Sequence, residues 1–163
     1  MKVTTLNDLY QRTINDVFYA EKETLKANES LENKATQKEL KSAITKHKED
    51  VEARIKRLET VMATIKLKAN AHHAAAIDGL LKEAKSLADE ISDTDTRDAA
   101  LLAALQEIEH YGINRYGTLI AWAETLGQKD VARSLHESLV TAKDFNHALT
   151  KIATSKLNHL ASV

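Results

Sequence analysis

The chain has 163 residues, a formal net charge of −1, no cysteine, no proline and only four glycines. That composition excludes disulfides and thiolate metal sites, gives no electrostatic case for nucleic acid or an anionic membrane, and leaves a cytoplasmic setting unopposed. With so few helix breakers and so much Ala, Leu, Lys and Glu, residues 1–163 are expected to form one all-α domain. No apolar run approaches the roughly 20 residues of a membrane span, and Met1-Lys2-Val3-Thr4-Thr5 lacks a signal-peptide apolar region.

The first helix is predicted to start at Thr5, with Asp8 completing a capping box. Its apolar stripe runs Leu6, Tyr10, Ile14, Val17, Glu21, Leu25, and the polar stretch Asn28 to Asn33 reads as a turn. Thr36 with Glu39 repeats the box and opens a long second helix with Leu40, Ile44, His47, Val51, Ile55, Leu58, Met62 and Ile65 along one seam. Lys66 to His73 reads as a connection, with the His72-His73 pair solvated. A shorter helix follows, with Ile77, Leu80, Leu81, Ala84, Leu87 and Ile91 on one face. Asp93 to Thr96 is a cap-rich break. A long helix from about Thr96 to Thr125 then stops at Gly127, a C′ glycine. Gly112 and Gly117 inside it are expected to admit a close neighbour. The last helix, from about Asp130 to Leu160, places Leu135, Leu139, Ala142, Asn146, Leu149 and Ala153 inward. Four long helices with a short one between the second and third give a ferritin-like four-helix bundle with one long crossover.

Two carboxylates, Glu21 and Glu109, fall on apolar stripes, the second among Leu105, Gly112 and Tyr116. A buried carboxylate needs a cation, a strong hydrogen-bond set or a metal. Two readings of Glu21, His47, Asp50 and Glu109 stay open. One is a buried polar network closed by His47, tyrosine hydroxyls or Arg54. The other is a metal site, complete or vestigial. A di-metal carboxylate site in a bundle takes a Glu from each of two helices and a Glu-x-x-His pair from each of the others. The spacing matches here are Glu107-x-x-His110, Asp144-x-x-His147 and a reversed His47-x-x-Asp50. His110 is rotated about 100° from Glu109, and Asp144 is out of phase with Ala142 and Asn146, so the first two pairs are expected at edges or in solvent. His136 and His159 fall on polar faces, and Trp122 is expected in the core or at a subunit contact. No phosphate loop, nucleophile elbow or Ser/His/Asp arrangement is present.

Arg97-Asp98-Ala99-Ala100-Leu101, Glu109-His110-Tyr111, Tyr116-Gly117-Thr118-Leu119, Ala123-Glu124 and Leu126-Gly127 resemble the third helix of the YciF-like bacterial stress proteins. Asp16 through Glu21-Lys22 is similar to that family's first helix, and His47, Glu49-Asp50 and Arg57-Leu58-Glu59 to its second. Ile77-Asp78-Gly79-Leu80 resembles the family's Met-Glu-Gly-Leu segment, and Leu139, Lys143, Leu149-Thr150 and Ala153 match its last helix. The resemblance spans essentially the whole chain. It implies a rubrerythrin-related bundle, a homodimer, a setting in stress response, no assigned reaction, and a di-iron-type site. Carried over by position, the metal ligands are Glu21, Asp50 and Glu109, with His47 and His110 close by.

This chain departs from the family pattern at Thr141-Ala142 and Asn146, where acids are usual, at Arg54, where a His is frequent, and at Gly112, where a Glu is common. At most three anionic ligands remain against about four in a complete di-metal site, and Arg54 adds a competing positive charge. The expected function is therefore a stress-associated protein whose core metal site is depleted or rebuilt and which is non-catalytic. The alternative is a di-metal carboxylate protein, holding iron or manganese, with oxidase or peroxide-detoxifying activity. The cofactor expectation is iron or another divalent metal, or none; the partner expectation is a second copy of the chain, without nucleic acid or membrane.

Overall fold

A computed structural model of the chain describes residues 3–70 and 73–162. Met1, Lys2 and His72, which figured in the sequence reading, lie outside the described residues. Helices α1 (Leu6–Lys34), α2 (Lys38–Thr64), α3 (Ala75–Glu90), α4 (Thr94–Thr125) and α5 (Lys129–Ile152) follow in order. A π-helical turn, Ala153–Leu157, and a last turn, Asn158–Leu160, extend α5. No strand occurs among the described residues, and none of their helices is long and apolar enough to cross a membrane. α1 with α2 and α4 with α5 form two hairpins; α2 packs on α5 and α1 on α4, closing a four-helix ring with α3 in the long crossover. The crossover is fastened to α1: the Tyr19 hydroxyl donates to Asp78 at 2.7 Å, and Asn15 accepts from the Asn70 N–H at 3.1 Å.

Local chemistry explains the helix ends. Thr5 and Asp8 form the expected capping box. Gly127, at φ 75°, closes α4 with the paired bonds Gln128 N–H to Ala123 C=O and Gly127 N–H to Glu124 C=O, a Schellman turn. α1, however, does not stop at Asn28. Its three-four rhythm continues through Thr24, Asn28 and Leu31, all buried, so the expected turn is helix and the chain breaks only after Lys34. The expected Thr36–Glu39 box is also absent. Asp98 of α4 caps α2 instead, accepting from the Thr36 N–H (2.9 Å), the Thr36 hydroxyl (2.7 Å) and the Gln37 N–H (2.6 Å). Gly112 and Gly117 meet no close neighbour: a Cβ built on either lies more than 4 Å from any neighbouring packing atom.

The apolar interior is divided. One cluster gathers Leu31, Leu40, Ile44, Leu101, Leu105, Ile108, Phe145 and Leu149. The other gathers Tyr10, Ile14, Val17, Leu58, Met62, Tyr116, Leu119 and Leu135. Along α1, α2 and α4 the buried ionisable residues Glu21, His47, Arg54 and Glu109 lie between these clusters, with Val51 among them. A charged layer thus crosses the middle of the bundle.

Asp98 is fully buried and carries the start of α2 from across the bundle. Asp98→Ala should lower unfolding free energy by roughly 2–3 kcal/mol, by stranding buried donors and removing a cap, in urea titrations monitored by circular dichroism. Asp98→Asn should lose less.

Candidate functional site: a charged layer in the bundle core

Arg54 projects from α2 into the bundle axis and is 1% exposed, the largest of the fully buried side chains. Helical phase puts it there, since it lies seven residues after His47 on one seam. Its Nη1 donates to Glu109 Oε2 at 3.0 Å and its Nη2 to Glu109 Oε1 at 3.2 Å, a two-pronged pair across the bundle. On the other side its Nε lies 3.1 Å from Glu21 Oε1. That N–H is not aligned as a hydrogen bond, so the contact with Glu21 is Coulombic. Glu21 Oε1 is instead held by the Tyr116 hydroxyl at 2.7 Å.

His47, with no exposed surface, completes the layer. Its Nε2 lies 2.8 Å from Glu109 Oε1; a carboxylate only accepts, so Nε2 carries a proton and donates. That proton precludes acceptance from Arg54 Nη2, 3.0 Å away, whose hydrogens serve Glu109. The Asn28 amide nitrogen sits 2.9 Å from His47 Nδ1, and the Phe145 ring stacks on the imidazole at 3.8 Å and 4°. At the rim Arg57 donates to the buried Ser138 hydroxyl at 3.0 Å. α5 therefore brings Phe145 to the layer and Ser138 to its rim, where the exposed Glu137 also meets Arg57 at 3.2 Å.

The two carboxylates are electrostatically unlike. Burial pushes both up. For Glu109 the paired Arg54 and His47 outweigh that push and bring its carboxyl down to about 2. For Glu21 burial prevails over Arg54, reinforced by repulsion from Glu109, and its carboxyl titrates above the usual range. Burial and Glu21 raise the Tyr116 hydroxyl well above its ordinary value, so it remains a donor.

The residues singled out from the sequence divide. Glu21, His47 and Glu109 converge on Arg54. Asp50 stands apart on the flank of α2, a quarter exposed, facing Lys46 at 3.4 Å. His110 is exposed and its Nδ1 donates to the Gln106 carbonyl at 2.7 Å. Glu107, Asp144 and His147 are exposed, and Asn146 is half-buried, with its side-chain oxygen accepting from Gln106 at 3.3 Å. The network also recruits Asn28, Ser138 and Phe145, which the sequence reading did not assign to it. Asn28 was detectable: it lies seven residues beyond Glu21 on the same face.

Comparison with known proteins places the chain. Residues 5–162 match a family described as a domain of unknown function, DUF892. The chain belongs to the DUF892 family. Protein YciF of Escherichia coli K12 is 33% identical over 162 residues, covering 99% of this chain and 98% of that protein. Among solved structures, the E. coli stress protein YciF superposes with a TM-score of 0.92 at 32% identity, covering 96% of this chain and 99% of that one. YcfI of Rhodopseudomonas palustris gives 0.90 at 40% identity, covering 93% and 97%. This DUF892 chain thus has the YciF architecture along nearly its full length.

The fold calls for a test of whether the layer suits a metal. Zinc and iron sites hold imidazole and carboxylate donors at about 2.0–2.2 Å from the ion. Here a guanidinium occupies the space between Glu21, His47 and Glu109, and its nitrogens take the directions a metal would need. No three His, Asp or Glu groups converge at metal-holding geometry among the described residues. The layer as built does not fit a metal ion. The surface cleft lined by Gln11, Arg12, Asn15, Leu67 and Asn70 includes none of these residues.

The unlike carboxylates predict opposite pH behaviour. Glu109, lowered on folding, contributes stability that is present above the unfolded carboxyl value and lost as pH falls through about 2. Glu21, raised on folding, contributes stability at acid pH that is lost as pH rises through its folded value. Glu109→Gln should therefore cost about 3 kcal/mol from pH 5 to 8, with the loss shrinking toward pH 2. Glu21→Gln should match wild type near pH 4 and become the more stable protein as pH rises. Urea denaturation across that range checks both; equal costs at pH 7 would contradict the assignment.

Proposed function

We propose that this chain is a non-catalytic helical-bundle protein whose central cation is its own Arg54 in place of a metal. One observation supports the reading above the rest: three nitrogens of the guanidinium occupy the space among Glu21, His47 and Glu109. Oxygen activation needs metal held with open positions. The layer offers neither an open position nor a channel, its members being at most 6% exposed. Most of the layer's other polar atoms pair with one another, Glu109 with Arg54 and His47, and Glu21 with Tyr116, as a register-setting network does. The stress setting for which E. coli YciF is named is the one we assign to this protein, in a binding or structural role, as a cytoplasmic homodimer.

Elemental analysis of tag-free protein, reloaded anaerobically with ferrous iron and desalted, tests the reading. No stoichiometric metal should remain, and the melting temperature should not respond to chelator. Two irons per chain with an oxygen-dependent absorbance change would overturn it in favour of a di-metal oxidase.

A further inference from the structure

The connection between α2 and α3 builds a cleft that has no part in the charged layer. It begins at a strained turn: Lys66 takes the left-handed backbone, φ 55°, with its N–H bonded to the Ala63 carbonyl and the Leu67 N–H to that of Met62. Gly127 makes the same turn after α4 without a Cβ to clash, whereas a lysine there is strained. Residues 67–70 then run back along α1, where the Asn70 N–H donates to Asn15 Oδ1 at 3.1 Å. Asn15 is 4% exposed, and its Nδ2 donates to the Gln11 carbonyl at 3.2 Å, so both ends of its amide hold the cleft wall together. The cleft encloses about 360 Å³, within the roughly 300–1,000 Å³ of small-molecule sites. Arg12 from α1 and Lys68 from the connection line it, with the amides of Gln11 and Asn70 and the aliphatic Val3 and Leu67, and no carboxylate is among these described residues. Neither cation has an ion-pair partner among the described residues, and the Gln11 and Asn70 side-chain amides make no hydrogen bond there. Arg12 also borders a smaller crevice, in which Asp16 is accompanied by a second arginine, Arg115.

We propose that this cleft binds a small organic oxyanion, a carboxylate or phosphate head on a short apolar body. A concave surface with two like charges and no opposing one focuses a field that attracts anions. The Arg12 guanidinium and the Lys68 ammonium hold the head by charge-assisted hydrogen bonds, the free amides add neutral ones, and Val3 and Leu67 cover the body. None of Glu21, His47, Arg54 and Glu109 takes part, so this inference and the reading of Arg54 as the core cation fail separately.

The test titrates the isotope-labelled full chain with sodium hexanoate, hexyl phosphate, hexylammonium chloride and inorganic phosphate, and follows the amide resonances by NMR. At least one of the two hexyl anions should shift the backbone amides of Leu67, Lys68 and Asn70 and the side-chain amide of Gln11 saturably, and the tighter of the two identifies the head. Hexylammonium should leave those signals in place, and inorganic phosphate, which lacks the apolar body, should bind about tenfold or more weakly than the better hexyl anion. Arg12→Gln and Lys68→Gln, both at exposed positions, should each weaken binding about tenfold while leaving the unfolding midpoint unchanged. Three results would each overturn the proposal: no saturable shift with either hexyl anion, equal shifts with hexylammonium or inorganic phosphate, or wild-type affinity in the folded R12Q/K68Q double variant.

Discussion

A guanidinium in the middle of a helical bundle sets the terms for everything around it. Taking a charge out of water costs several kcal/mol even after relaxation, so Arg54 requires partners on every side. Glu109 meets it with two hydrogen bonds from α4, and Glu21 approaches its third nitrogen from α1. His47, two turns before Arg54 on α2, satisfies the same carboxylate that Arg54 holds. Only relative helix placements that bring these groups together leave no charge stranded, which restricts how α1, α2 and α4 slide past one another.

The layer also explains the shape of the interior. Apolar residues lie above and below it in two clusters, so neither reads as one uninterrupted stripe. α5 joins without a buried charge: Phe145 stacks on the imidazole, and the buried Ser138 accepts from Arg57 at the rim. The charge of the layer therefore comes from three helices, α1, α2 and α4. The arginine enters from α2, and α5 offers the flat ring of Phe145 against the imidazole. One guanidinium balances one carboxylate, which fits the unlike behaviour of the two: Glu109, paired with Arg54 and His47, is held ionised, while burial pushes the Glu21 carboxyl up.

Much of this was legible in the sequence, for reasons that differ by residue. Glu21 and Glu109 stood out because carboxylates on apolar stripes demand a partner. Arg54 was within reach because seven residues bring a helix back to within about 20° of its starting direction. Asp50, three residues from His47, is about 60° off the same line, and that offset leaves it on the flank with Lys46. Asn28 escaped because a run of polar residues looks like a turn, although its spacing from Glu21 and Leu31 kept the helical rhythm. The Asp98 cap was beyond local reading: donor and acceptor lie 61 or 62 residues apart, and only the packing of α4 against the start of α2 joins them.

The central claim is that Arg54 and Glu109 stabilise the bundle as a directly coupled pair, and a double-mutant cycle measures that coupling. Urea unfolding of wild type, Arg54→Met, Glu109→Gln and the double variant at pH 7 gives the interaction energy. A coupling of roughly 2–3 kcal/mol, with the double variant recovering much of the loss of the singles, is what this account predicts. Additive losses would contradict it and leave the two charges without a direct stabilising interaction.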